Sequence, residues 1–241
     1  MKKMIASTSG ESYKPALLVV DMQEDFCPPS GSLAVEGGRD LARIINDLLS
    51  LPFALKIATK DMHPRDHVSF AASHFPPKKA FESHFRISNP SDETQSYEIP
   101  LWPNHCVQGT PGSDIIPEID VSKLDEVVEK GKDGKLEMFS AFADVFGNKS
   151  SGAANQDLAL LLHRAGITHV FTVGLAGDYC VKCTALDAKK EGFEVYVVQE
   201  ATRSVDAGEK GWGAATKDLE KAGIRIISIK DAEVEMVKSL N

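Results

Sequence analysis

Short runs of apolar, often β-branched residues alternate along this chain with stretches whose apolar residues recur at helical spacing, and that alternation leaves few folds open. Ala16 to Val20 is apolar throughout, which suits a strand buried on both faces and ending at Asp21. Leu41, Ile44, Ile45, Leu48 and Leu49 follow at i, i+3, i+4, i+7 and i+8, the stripe of an amphipathic helix. Phe53 to Thr59 reads as a second strand ending at Lys60 and Asp61, and Glu126 to Glu129 as a weaker one. The second half repeats the pattern. A helix over Leu158 to Ala165 closes at Gly166, a strand covers His169 to Val173, and a helix from Asp178 to Glu191 stops at Gly192. A strand over Glu194 to Gln199, a helix reaching Ala222 with Gly223 behind it, and a strand over Ile224 to Ile229 complete the series. The expected fold is α/β: three layers, with a mainly parallel six-stranded sheet and helices on both faces.

No repeat and no Gly-, Ser- or Pro-rich linker divides the chain, so residues 15–241 are expected to form one domain behind a polar, flexible N-terminus at 1–14. Residues 62–111 show no period and hold prolines, histidines and aromatics; so long an irregular stretch is more often functional than a plain connector. Twenty-seven Lys and Arg against 35 Asp and Glu give a net charge of −8, which argues against non-specific nucleic-acid binding and against an anionic membrane surface. No apolar run approaches the roughly 20 residues that span a bilayer. The opening MKKMIASTSG lacks the apolar core of a signal peptide, so the expected location is the cytoplasm, with the nucleus also compatible. Cys27, Cys106, Cys180 and Cys183 are too few and too irregular for a disulfide scaffold; they are buried hydrophobes, metal ligands or nucleophiles.

Three groups could carry chemistry. In VGLAGDYCVKC, Asp178 is a candidate N-cap that puts Cys180 in the first turn of a helix, where free amides and the helix dipole lower a thiol's pKa. The plainer reading makes Cys180 and Cys183 small buried residues three apart on one helix face, and Cys-x-x-Cys also suggests a redox pair. Asp61 and His63 form D-x-H after a strand, which with another imidazole suits a borderline divalent ion such as zinc. His67, His74, His84 and His105 are all available, and spacing alone does not choose among them. Asp21 ends a buried strand, where an acid is costly unless paired or used. Its plainer role is to accept turn amides, and that of Lys130 is solvent exposure. In a parallel sheet, residues that follow strands converge at one edge, so Asp21, Asp61, Lys130 and the 174–180 segment can meet.

Taken together the segments VVDMQEDF (19–26), GSL (31–33), TKDMHPRDHVSF (59–70), LWPNHCVQGTPGS (101–113), VVEKG (127–131), SAF (140–142) and VGLAGDYCVKCTALDA (173–188) resemble the nicotinamidases and pyrazinamidases of the isochorismatase-like cysteine hydrolase family. The resemblance implies that Asp21 is the base, Lys130 its lysine partner and Cys180 the nucleophile, with Lys132 and Lys135 as competitors for the lysine. It implies a metal triad of Asp61, His63 and His105 holding one divalent ion, most often zinc. It implies a cis peptide at Leu175–Ala176, an oxyanion hole from the backbone N–H groups of Ala176 and Cys180, and aromatic walls at Phe26, Trp102, Tyr179 and Phe139, the last often tyrosine in the family. The implied activity is hydrolysis of nicotinamide to nicotinate and ammonia through a cysteine thioester, in NAD salvage. The substrate partner is then a small molecule, and a homo-oligomer stays open. Two alternatives remain: an amidase for another small aromatic or carbamoyl substrate, and a catalytically silent binding protein of the same fold.

Overall fold

The computed structural model describes residues 13–149 and 153–240. Along the chain lie β1 (Pro15–Val20), α1 (Leu41–Leu49), β2 (Leu55–Asp61), β3 (His84–Asn89), β4 (Asp92–Pro100), β5 (Glu126–Lys130) and α2 (Leu158–Arg164). They are followed by β6 (His169–Gly174), α3 (Lys182–Lys190), β7 (Glu194–Thr202), α4 (Trp212–Lys221), β8 (Arg225–Ile227) and α5 (Ala232–Lys238). Six strands form one sheet in the order β5-β2-β1-β6-β7-β8, every neighbouring pair parallel.

The apolar run of β1 has the reason expected of it: both its faces are covered. Leu17 and Val19 point into a core shared with α1 and α5, whereas Ala16, Leu18 and Val20 point into one shared with α2, α3 and α4. The stripe of α1 is fully used, with Leu41, Ile45, Leu48 and Leu49 at most 1% exposed. Each such side chain contributes about 1.5–3 kcal/mol relative to exposure. Helix α5 was not anticipated; it is short, and its buried side chains are Val234 and Val237.

The strand order reverses direction at the β1–β6 pair, since the chain builds outward to β2 and β5 on one side and to β7 and β8 on the other. That reversal opens a crevice at the carboxyl ends of β1 and β6, the place where parallel sheets bind ligands. Strand β2 starts two residues later than expected and ends at Asp61, β5 runs one residue further to Lys130, and these two last residues stand opposite each other in register.

The stretch expected to be irregular contains the antiparallel hairpin β3–β4. Its strands are mostly exposed on both faces, which erases the period-2 signal, and only Ile87 and Ile99 reach a small core with Ala71 and Leu101. The expected loose N-terminus at 1–14 lies outside the described residues except for Tyr13 and Lys14, and these are anchored: the Tyr13 ring lies 4.5 Å from His169, and the Lys14 carbonyl accepts the Thr168 N–H at 2.9 Å. No described helix is long and apolar enough to cross a membrane.

Candidate active site

Four strand ends supply the centre of the site. Asp21 follows β1 in the left-handed region (φ 46°), a turn that directs the chain sharply away from the sheet. Its Oδ1 accepts the Thr59 hydroxyl at 2.5 Å, and its Oδ2 lies 2.9 Å from the Lys130 ammonium without a well-directed hydrogen bond. Lys130 is wholly buried, and its Nζ also reaches Asp61 Oδ1 at 2.5 Å, the Met138 carbonyl at 3.2 Å and Cys180 Sγ at 3.5 Å. The competing lysines are elsewhere: Lys132 pairs with Glu129 at 2.9 Å and Lys135 is exposed.

One ammonium thus serves two buried acids, and their affinities for protons separate. Burial would raise the Asp61 carboxyl, but Lys130 and the His63 and His105 imidazoles overcome it and hold it well below the ordinary range. For Asp21 burial dominates, and the charge of Asp61 adds to it, so this carboxyl is pushed up. Burial opposes the charge on Lys130, but Asp21, Asp61 and Cys180 keep it firmly protonated. Two carboxyls driven apart in this way divide the labour of fixed charge and proton carrier.

Cys180 departs from expectation in one respect. The α-helix starts later, at Lys182, and residues Gly177–Val181 form a π-helical turn closed by the Val181 N–H on the Ala176 carbonyl. Asp178 is therefore not an N-cap. Its carboxylate accepts the N–H groups of Val205 and Asp206 at 3.0 and 2.9 Å and ties the turn that carries Cys180 to the loop after β7. Nor is the Cys180 thiol lowered: burial first, then the nearby carboxylates, push it well above its usual value despite Lys130. A thiol in that setting needs a base, and Asp21 is beside it.

Asp61, His63 and His105 bring one ligand atom each to within 4.8 Å of one another, all three buried. Both imidazoles are oriented by their far nitrogens. The His63 Nδ1–H donates to the Gly131 carbonyl at 2.9 Å and the His105 Nδ1–H to the Pro103 carbonyl at 2.8 Å, which leaves each Nε2 as a free donor to a metal. His63 Nε2 and Asp61 Oδ2 are 3.7 Å apart, long for a hydrogen bond and suited to two atoms that share an ion at about 2 Å each. The residues fit a divalent ion with two nitrogen ligands and one oxygen. Asp21, Asp61 and Cys180 are equally close to one another, but there the Lys130 ammonium already occupies the place of a cation. His67 stays out of the ligand set: its Nε2–H donates to the Leu136 carbonyl and its Nδ1 accepts from Ser69.

At Gly131 and Gly174 any side chain would be strained. Both have positive φ, and a Cβ would lie 2.5 Å from the His63 ring at Gly131 and 2.1 Å from the Val20 carbonyl at Gly174.

Above this base lies a narrow cleft lined by Phe26, Trp102, Phe139 and Tyr179, with Asp61, His63, His105, Ala176 and Cys180 at its floor. The Tyr179 ring lies 5.2 Å from Trp102 and 5.4 Å from Phe139. The Leu175–Ala176 peptide is cis. The Ala176 N–H makes no backbone hydrogen bond among the described residues, so it is available to an oxygen in the cleft.

A model of the isochorismatase domain matches residues 15–231. The chain belongs to the isochorismatase family. Among the relatives of this isochorismatase-family chain, a nicotinamidase of Schizosaccharomyces pombe is 34% identical over 231 residues, covering 95% of this chain and 100% of that one. A yeast nicotinamidase solved with the inhibitor nicotinaldehyde superposes with a TM-score of 0.81 at 31% identity, covering 89% of this chain and 99% of that one. A pyrazinamidase of Pyrococcus horikoshii solved in complex with zinc gives a TM-score of 0.68 at 30% identity, over 89% and 99% of the two chains.

Sequence reasoning passed over several residues of the site. Gln23 is wholly buried and clamps Asp61 from behind: its Oε1 accepts the Asp61 N–H at 2.7 Å, while its Nε2 donates to the carbonyls of Asp61 and Ser113 at 2.8 and 2.9 Å. It stands inside the D-M-Q motif, so the signal was present but carried no chemical role. Glu137, Leu33 and Val205 complete the lining of the cleft. Val205 is brought there by Asp178, a contact that spans 27 residues and leaves no trace in local pattern. Cys183 does not face the cleft and lines a separate cavity, which removes the basis for a redox pair with Cys180.

Proposed function

We propose that this isochorismatase-family protein hydrolyses nicotinamide to nicotinate and ammonia, with Asp21, Lys130 and Cys180 as its catalytic residues. The observation that carries this reading is the buried Lys130 ammonium, within 3.5 Å of Asp21, Asp61 and Cys180 together, beneath an aromatic cleft that also holds the His63 and His105 imidazoles. An amidase needs a nucleophile, a proton carrier for a poor leaving group and a donor for the oxyanion; a pyridine carboxamide needs in addition flat walls and a ligand for its ring nitrogen.

The steps follow from the charges. Asp21 takes the Cys180 proton as sulfur attacks the carboxamide carbon, and Lys130 stabilises the thiolate that forms beside it. The N–H groups of Ala176 and Cys180 hold the developing oxyanion. Asp21 then gives its proton to the departing nitrogen; the C–N bond breaks, ammonia leaves and a nicotinoyl thioester remains on Cys180. Water loses a proton to Asp21 as it attacks the thioester, and the S–C bond breaks to give nicotinate and the restored thiol. Asp61, His63 and His105 would hold a divalent ion, and zinc, which this donor set suits, would supply Lewis acidity toward a pyridine nitrogen. Phe26, Trp102, Phe139 and Tyr179 enclose the ring and limit water in the cleft. The location that goes with this reading is the cytoplasm, whose reducing conditions keep a catalytic thiol free.

Ammonia release from nicotinamide by the purified protein tests the reading. Turnover that is lost with a strong chelator and restored by zinc is expected. No turnover by the zinc-loaded protein would overturn it.

A further inference from the structure

The catalytic cleft has a neighbour. A second cavity, open to solvent on one side, lies between β4, the 139–147 segment and α3, with Tyr97, Ser140, Ala143, Cys183, Leu186 and Lys190 in its lining. Phe139 lines both spaces, and it is the residue their linings share. The ring is half-buried and packs on Tyr179 at 5.4 Å, tilted by 49°. The backbone on either side is held independently of that ring: the Met138 carbonyl accepts from Lys130 at 3.2 Å and the Ala141 N–H donates to the Thr184 hydroxyl at 3.2 Å. The two thiols of the Cys-x-x-Cys segment mark the two sides, Cys180 in the cleft and Cys183 in the cavity beyond.

We propose that Phe139 is the partition that sets the upper size of the substrate, and that a shorter side chain there joins cleft and cavity into a site for pyridine carboxamides bearing a further aryl group. The inference rests on the nicotinamide reading and deepens it. The cleft between the aromatic walls is narrow, and the benzyl group of Phe139 stands between it and the next void. Removing it leaves space that the anchored backbone does not collapse into, and Tyr97, Ala143 and Leu186 offer an apolar surface to the incoming substituent.

The test compares nicotinamide with nicotinamides carrying a phenyl group at C4, C5 or C6, all of which keep the carboxamide and the ring nitrogen. In the zinc-loaded wild-type protein, kcat/KM for nicotinamide should exceed that for each phenyl derivative by at least about 100-fold. In Phe139→Ala that preference should fall by roughly tenfold or more for at least one derivative. Leu33→Ala, which trims another wall of the same cleft, should leave it unchanged. Preferences unchanged in Phe139→Ala, or relaxed equally by Leu33→Ala, would overturn the proposal. A second readout needs no turnover. In the Cys180→Ala/Phe139→Ala protein, a saturating phenyl derivative should slow alkylation of Cys183, read by peptide mass spectrometry, while nicotinamide should not. Equal labelling with both ligands overturns the partition, whereas wild-type protein inactive on nicotinamide overturns the substrate reading instead.

Discussion

The residues at the strand ends and those in the long loops are held in different ways. Asp21, Asp61 and Lys130 end parallel strands, and Cys180 lies in the first turn after one, so a fully hydrogen-bonded sheet fixes their spacing. His63, Trp102 and His105 come from the loops on either side of hairpin β3–β4, where single bridges, His63 to Val107 and Phe70 to Trp102, stand in for a ladder. The groups we propose to react thus sit at the ends of the sheet's strands, and the groups that would hold the substrate ring sit on loops, which can vary around a fixed sheet. Asp61 belongs to both: Oδ1 faces Lys130 and Oδ2 faces His63.

Substitutions can break that division. Cys180→Ala should lower kcat by more than about 1,000-fold with an unchanged circular dichroism spectrum. Activity within tenfold of wild type would remove the thiol from the chemistry. Asp61→Asn comes next, because it strikes both groups at once. We expect roughly a 100- to 1,000-fold loss in kcat/KM together with loss of bound metal, measured by elemental analysis. Loss of metal with kcat intact would show that the two groups are not joined through this residue.

Smaller effects sharpen the comparison. Gly131→Ala pushes a methyl group against His63 and should weaken metal affinity by about 10- to 100-fold while kcat at saturating zinc stays near normal. Gln23→Leu leaves the buried N–H and carbonyl of Asp61 without partners and should cost about 2–3 kcal/mol of stability by denaturant titration. A stability equal to wild type would mean that Asp61 is held by the β2–β5 ladder alone.

What could be read in the sequence follows the same line. The six sheet strands and four of the helices were legible, most plainly β1, because a strand buried on two faces is apolar throughout and a packed helix shows its stripe, and least plainly the edge strand β5 with its charged ends. Hairpin β3–β4 is exposed on both faces and shows neither pattern. The candidate site was legible only in part. Order along the sheet predicts that Asp21, Asp61, Lys130 and Cys180 can meet, but the choice of His105 over His67, and of Lys130 over its neighbours, came from the resemblance; the structure accounts for both choices through Leu136, Ser69 and Glu129. The raised Cys180 thiol was missed because helix-end reasoning ignores burial beside two carboxylates.

The most direct test of this division is the ratio of kcat/KM for nicotinamide to that for benzamide, measured in the wild-type protein and in His105→Ala, both supplied with zinc. Benzamide keeps the amide and the flat ring but lacks the ring nitrogen. The wild-type ratio should be about 100 or more, and in His105→Ala it should fall toward one through loss of nicotinamide turnover alone, with benzamide little changed. The same ratio in both proteins, or a ratio near one in the wild type, would contradict the assignment of ring recognition to the loop-borne imidazoles.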